Sequence, residues 1–533
     1  MNLRAAILPG QMGRKPLIAF GFLVAAGYAA YRAAGYVIND DLQSLALIGL
    51  AFLAGACVLA MLNDWRLGLY FFLAWLLFED FARKFLGNNM VVYFGKDLLV
   101  IVVYISFYLA VRRRQETIFR PPFLLPLLIF VWFGAVQIFN PGSNSFWFGA
   151  LGFRVYFLYV PLLVIGYSLL TSEEQLRKFF TVNIVLGLVI VSLGVAQAIL
   201  GHTFLNPQTL DSSIEGAAGL YRVSPISGAL VYRPSATFVS HGRYVDFMQV
   251  LWLIVLGFSG YLLLRHRSGR ALAFVALALT AAGTFLSGSR GSFMWTLINT
   301  VVFSAAFLWG APWRQKEVVR VLRTFQRLAI GMALAFVALF LVFPDALSSR
   351  LEVYSETLLP NSPASELGQR VWDYPIRNFL GAFNDSRWPY GYGIGAVSLG
   401  SQYVTRYFKV QPVGVGVESG FGSIVLELGI VGLALWLVMA AAIVACAWRV
   451  VRKLKGTPWF PAGFVIAWYA FALLFLQTFV GIQAYQDFLM NAYLWLLLGI
   501  LFRLPHLGQA VQQQALQQDL LARPATMGRS WIR

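Results

Sequence analysis

The sequence predicts an all-α polytopic membrane protein with about fourteen transmembrane helices and a long outer loop carrying amphipathic helices. Three observations predict it. Hydrophobic residues make up 59% of the chain and charged residues 12%, with a mean hydropathy of +0.69, the balance of a chain solvated by lipid. Apolar runs of membrane-crossing length recur from residue 17 to residue 502. The 41 Lys and Arg residues fall in short clusters between those runs. The net charge of +18 therefore reads as cytoplasmic loops rather than as a nucleic-acid surface.

A helix needs about 20 apolar residues to cross a bilayer. On that measure the spans are 17–35, 43–62, 66–82, 91–111, 123–139, 153–170, 179–200, 244–264, 271–288, 291–310, 328–344, 417–446, 459–481 and 485–502. Arg4, Arg14 and Lys15 precede the first run, and no small-residue cleavage site follows it, so the first run reads as an uncleaved span. With that end inside, the inner loops hold "VRRRQETIFR", "RHRSGR", "WRQKEVVRVLRTFQR" and "WRVVRKLKG". Of the 41 basic residues 26 then lie inside, and 9 of the other 15 lie in two long loops that escape the charge rule. Both termini are thus expected to be cytoplasmic. The chain divides into N-terminal spans (1–200), an outer loop (201–243), central spans (244–344), a second long outer loop (345–416), C-terminal spans (417–502) and a cytoplasmic tail (503–533). Cys57 and Cys446 stand far apart in apolar segments and read as small buried hydrophobes.

Charges in apolar surroundings are the candidates for chemistry. In "TFLSGSRGSFMW" (284–295), Arg290 sits in a short turn between two spans. A buried unpaired guanidinium is costly. It either snorkels to water as it ends a helix or meets an anion. His241 and Arg243 close the first outer loop, in "RPSATFVSHGRY". In the second, Ser362 can cap a helix with Pro363 at its first position. Val371, Trp372, Ile376, Phe379 and Leu380 recur at helical spacing, with Arg370, Asp373, Tyr374 and Arg377 near a polar face. A helix on the outer membrane surface is expected, apolar side toward the bundle. Gly391, Gly393 and Gly395 follow, for tight turning or close backbone approach. Arg243, Arg290 and Arg370 are thereby expected on one side of the membrane. Their forks stay charged and suit a diphosphate. Glu418 opens the twelfth span, and Glu427 lies nine residues deeper, where a carboxylate needs a partner or a proton. No His/Asp/Glu cluster has metal-ligand spacing, so no metal and no cofactor are expected.

These segments resemble the O-antigen ligases and bacterial polysaccharide polymerases of the Wzy-C type. Glu418–Ser419, nine residues, then Gly429-Ile430-Val431-Gly432 reproduce the spacing of that family's last motif. "SGSRGSF" is similar to its Ser-Arg turn, "RPSATFVSHGRY" to the segment before a central span, and "GQRVWDYPIRNFLGAF" with "GYGIG" to its Arg/Trp helix and glycine turn. Arg370 and Trp372 are closer in sequence than that pattern has them, and Glu418 stands where the ligases usually carry His. The resemblance covers roughly 230 to 440.

It implies a C-type glycosyltransferase fold in a bacterial inner membrane, with the active site facing the periplasm. The donor would be an undecaprenyl-diphosphate-linked oligosaccharide. The acceptor would be another such glycan (a polymerase making exopolysaccharide or O-antigen) or a lipid or protein anchor (a ligase). The missing His favours the polymerase, for which a flippase and a chain-length regulator are expected partners. The implied catalytic residues are Glu418, Arg290 and Arg370. Arg243, Arg290 and Arg370 would bind the diphosphate, and His241 and Arg377 would support the acceptor or base. A reading from another class, a transporter of lipid-linked glycan, stays open because Lys96, Asp97, Asp246 and Asp487 sit within or beside spans.

Overall fold

The computed structural model describes residues 55–87, 89–207, 219–265, 268–312, 340–481 and 484–522, with isolated positions 326, 330 and 337. The expected spans 17–35 and most of 43–62 and 328–344 lie outside the described residues. The described chain is an all-α membrane-type bundle with one small hairpin. Eight of its helices are long and apolar enough to cross a membrane.

The helices begin and end where local chemistry dictates. α1 (Trp65–Phe85) is capped by the Asp64 carboxylate, which accepts from the backbone N–H of Arg66 at 2.9 Å. α2 (Met90–Arg112) is capped by Asn89, and α3 is Leu124–Gln137. α4 (Phe146–Phe157) and α5 (Leu162–Leu169) form one crossing, 146–169, interrupted at Pro161. α6 (Glu173–Leu200) has Ser172 at its cap and Glu173 and Glu174 in its first turn, where the helix dipole favours acids. The hairpin pairs β1 (Tyr221–Val223) antiparallel to β2 (Leu230–Tyr232), with Arg222 opposite Val231. There follow α7 (His241–Arg265), α8 (Arg270–Leu286), α9 (Arg290–Gly310), α10 (Pro344–Leu358), α11 (Tyr374–Gly381), α12 (Ser401–Phe408), α13 (Gly420–Leu454), α14 (Phe460–Phe471) and α15 (Phe488–Ala522). The boundaries of α2, α6, α7, α8 and α9 fall within six residues of the sequence expectation.

α7 and α15 form the axis of the bundle, their apolar windows 89% buried. Small residues let backbones touch, as in membrane packing generally. A Cβ on Gly166 of α5 would stand 2.2 Å from the Leu496 carbonyl oxygen, and one on Gly499 would stand 2.1 Å from that of Leu163. Buried side-chain bonds join helices at Gln477–Gln249 (2.7 Å), Tyr493–Asn183 (2.7 Å) and Trp468–Asn299 (2.8 Å).

Helix ends sort into two sets. Arg66–Glu116, Arg265–Glu173 and Arg503 on the Leu170 carbonyl bring one set together. Lys84–Ser235, Arg83–Tyr403, Ser224–Glu356 and Arg290–Glu366 bring the other set under the two long loops. We call the latter the loop end. There Arg350 of α10 is almost fully buried, and among the described residues it has no carboxylate partner. It donates to the carbonyls of Leu286 (2.7 Å), Ala346 (2.5 Å), Tyr232 (3.1 Å) and Ala198 (3.4 Å). These last turns of α6 and α8 have carbonyls with no intrahelical partner. One planar fork ties both helices and β2 together, and burial pushes its pKa down to about 10.

Candidate functional site at the loop end

α9 starts at Arg290 because Ser289 caps it, its hydroxyl accepting from the Ser292 N–H at 3.3 Å. A cation in a first helical turn opposes the helix dipole, so Arg290 is not there to stabilise α9. Its Nη2 donates to the Glu366 carboxylate at 2.8 Å, while Nη1 is buried and has no partner among the described residues. The same Glu366 oxygen accepts from Arg370 Nε at 3.3 Å. Arg370 reaches on toward Glu418, with its Nη1 4.0 Å from the carboxylate, and covers the Tyr374 ring at 4.9 Å. Tyr374 donates its hydroxyl to Glu418, and the Glu418 N–H donates to Asn378 at 3.1 Å. Arg290, Arg370 and Glu418 are thus joined in one chain of contacts.

Two further arginines complete the group. Arg222 on β1 and Arg233 just after β2 are half-buried beside Arg290. The Arg222 guanidinium is pushed down to about 10 by burial, then by the positive charges of Arg290 and Arg233, with Arg370 contributing and Glu366 opposing. Arg233 is lowered by burial and by Arg290, and its Nε is buried without a partner. Glu356 of α10 fixes the hairpin that carries Arg222. Its carboxylate accepts from Ser224 (2.5 Å) and from the N–H groups of Ile226 (2.7 Å) and Ser227 (3.0 Å). The hydrogen bond from Arg290, with its charge and the hydrogen bond and charge of Arg370, outweighs the opposing effect of burial and leaves Glu366 with a pKa below the ordinary glutamate range. Arg290 and Arg370 share the Glu366 carboxylate, and Arg222 and Arg233 add their charge beside Arg290, so positive charge is in excess and donors are left over for an anion.

Arg243 is a correction. Its guanidinium does not join the group. It binds both Asp80 oxygens, at 2.7 and 3.0 Å, and approaches Asp487 at 3.8 Å. Asp80 also holds Arg83 at 2.6 Å. Nearby, Lys96 pairs with Glu79 (2.7 Å) and Asp97 with Arg154 (2.6 Å), all of them buried or nearly so. This is a neutralised network between helices, since buried charges must be paired. It also absorbs most of the intramembrane charges that kept a transporter open.

His241 is buried, with Nδ1 3.0 Å from the Pro234 carbonyl and Nε2 unpartnered. It lies within electrostatic reach of Arg233 and Arg222. Arg377 is a second correction. It is exposed and faces Asp373 at 4.0 Å, outside the chain of contacts.

The surface helix also differs from expectation. Helix begins at 367, not after Ser362, which instead accepts from Ala364 within a turn. Glu366 is held by the Thr357 carbonyl and by Arg290, so the backbone cannot coil earlier. Gln369–Asp373 is a π-helical turn, a geometry that recurs at functional sites. That turn rotates Val371 and Trp372 into the open, 52% and 65% exposed, while Phe379 and Phe383 pack inward. The apolar side is therefore split rather than laid wholly against the bundle.

The glycine turn approaches a helix rather than a ligand. α13 breaks at Gly429 (φ 70°), freeing the Leu426 and Glu427 carbonyls to accept from Tyr392 (2.7 Å) and Gly393 (2.9 Å). A Cβ on Gly391 would stand 2.5 Å from the Glu427 carbonyl oxygen. The Glu427 carboxylate accepts from Ser398 (2.7 Å), Tyr156 (2.8 Å), Val397 N–H (3.2 Å) and Gln486 (3.3 Å). It is a structural anchor.

No family model and no curated protein matches this chain.

Sequence reasoning missed Arg222, Arg233 and Glu366. The first lies within β1 and the second just after β2, and a short strand pair in a polar loop has little periodicity to reveal it. Glu366 lies 76 residues from Arg290.

Proposed function

We propose that the protein is a membrane glycosyltransferase that polymerises polysaccharide repeat units from a polyprenyl-diphosphate-linked donor. The observation that carries this reading is the grouping of Arg290 and Arg370 on Glu366 with Arg222 and Arg233 beside Arg290, where, among the described residues, Arg290 Nη1 and Arg233 Nε are buried and unpartnered. Their charge suits a diphosphate better than a single phosphate or a neutral sugar. On this reading the bundle has fourteen spans, both termini face the cytoplasm and the loop end faces the periplasm of a bacterial inner membrane. The fold would be of the C-type glycosyltransferase kind.

The acceptor hydroxyl oxygen bonds to the anomeric carbon as that carbon's bond to the diphosphate oxygen breaks. The electron pair leaves on the diphosphate, and fixed guanidiniums stabilise the growing charge more in the transition state than in the ground state. The hydroxyl proton passes to Glu418, which is half exposed and oriented by Tyr374 and Asn378. Glu366 holds Arg290 and Arg370 in register and yields its place to phosphate oxygens.

Ligase activity differs only in the acceptor, and Glu418 in place of His supports the polymerase. The test uses the purified protein in proteoliposomes with lipid-linked oligosaccharide. Longer lipid-linked glycan is expected. Passage of the unaltered donor across the bilayer, with no new glycosidic bond, would replace this reading with a transporter.

A further inference from the structure

A second feature is independent of the arginine group. Between the loop-end turn of α3 and the break in α13 lies an open groove of about 640 Å³. That is the size of a small-molecule or single-lipid site. Phe133 and Val136 of α3 form one wall, and Leu428 and Val431 form the other, on either side of the Gly429 break. Arg387 and Tyr390 form the rim.

Its height in the bilayer follows from α13. From Gly429 the helix runs a further 25 residues to Leu454, roughly 38 Å at 1.5 Å per residue. This exceeds the roughly 30 Å hydrocarbon thickness. The break and the groove beside it therefore sit at the boundary between hydrocarbon and headgroups. Val136 and Val431 are about half exposed there, and Tyr390 is 78% exposed, the placement of an interfacial aromatic. Among the described residues no carboxylate lies within ion-pair distance of Arg387. Its guanidinium rests against the Gly142 backbone and beside the Tyr392 ring, 5.5 Å from the ring centre. An apolar trough at acyl-chain depth, with an unpaired fork at headgroup depth, complements a lipid that is greasy below and anionic above.

We propose that this groove is a binding site for one anionic glycerophospholipid, its phosphate on Arg387 and an acyl chain along Val136 and Val431. The experiment is native mass spectrometry of the full chain in detergent, titrated with phosphatidylglycerol or with phosphatidylcholine of matched chains. One phosphatidylglycerol should be retained roughly fivefold better, the worth of one basic residue facing an anionic lipid. Arg387→Gln should bring the two lipids to parity with an unchanged melting temperature, because Arg387 is exposed. Val431→Trp, which fills the trough, should reduce retention of both. Equal retention by the unaltered protein would overturn the proposal, as would an Arg387→Gln protein that keeps the preference. Displacement of phosphatidylglycerol by equimolar polyprenyl phosphate would also overturn it, assigning the groove to that lipid instead. Arg387 belongs to neither the arginine group nor its contacts, so these outcomes are separate from glycan transfer.

Discussion

Arg290 separates a catalytic arginine from a structural one. Its ion pair is with Glu366, a residue one-third exposed. Pairs of that kind contribute about 0–1 kcal/mol to stability. Its second nitrogen, buried and unpartnered, is free to complete a fork on a diphosphate. Losing a preorganised donor to a developing anion lowers turnover on the order of 10²–10³-fold, about 2.7–4 kcal/mol of transition-state stabilisation. Arg290→Ala should therefore lose about two to three decades of activity while its melting temperature barely moves. Arg290→Lys should fall within about tenfold of Ala, since an ammonium keeps the charge but cannot donate two parallel bonds. The assay is glycan elongation in proteoliposomes at matched protein, with melting followed in detergent. Full activity in both variants would remove Arg290 from the chemistry. An activity loss that merely tracks a large loss of melting temperature would make it structural.

Other expectations follow from the same geometry. Glu418→Gln should abolish transfer while Glu418→His retains some, and normal turnover by the Gln variant would leave Glu418 a structural role. Because the Glu366 pKa is depressed in the folded state, its contribution is complete above the ordinary glutamate value and is lost as pH falls through the lowered one. Protection of segment 359–370 from proteolysis should therefore persist as pH falls into the ordinary glutamate range and be lost below it; a pH-independent profile is expected for Glu366→Gln, and the same profile in both would refute the pairing. Glu427→Ala strands four donors and should cost on the order of 3 kcal/mol or more, so an unshifted melting curve would contradict its anchoring role. Arg243→Ala should destabilise by about 3–5 kcal/mol, because Asp80 and Asp487 lose a buried partner, yet leave binding of lipid diphosphate intact. A large loss of binding with normal melting would return Arg243 to the site.

The spans were legible because length and apolarity are local properties: α7 and α9 begin within three residues of where the apolar run does. The site was legible only in part. Arg290, Arg370 and Glu418 announce themselves as charges in improbable places. Arg243 does too, but its partner Asp80 lies 163 residues upstream, and no spacing rule distinguishes a neutralised charge from a waiting one. The split of Val371 and Trp372 from Phe379 depends on a π-turn that adds a residue to the helical register, which a period of 3.6 cannot anticipate. The glycine turn suggested close approach, but only the break at Gly429 shows that the approached body is α13.

Arg350 has a consequence for biogenesis. Besides Ala346 in its own helix, the carbonyls it binds belong to residues 198, 232 and 286, all translated before it. During synthesis those carbonyls lack this partner until residue 350 has been made. The N-terminal two-thirds of the molecule therefore cannot reach its final form at the loop end on its own. A ribosome stalled short of position 350 would hold α6, α8 and β2 with those carbonyls still unfastened, and their tie is supplied by a later part of the chain.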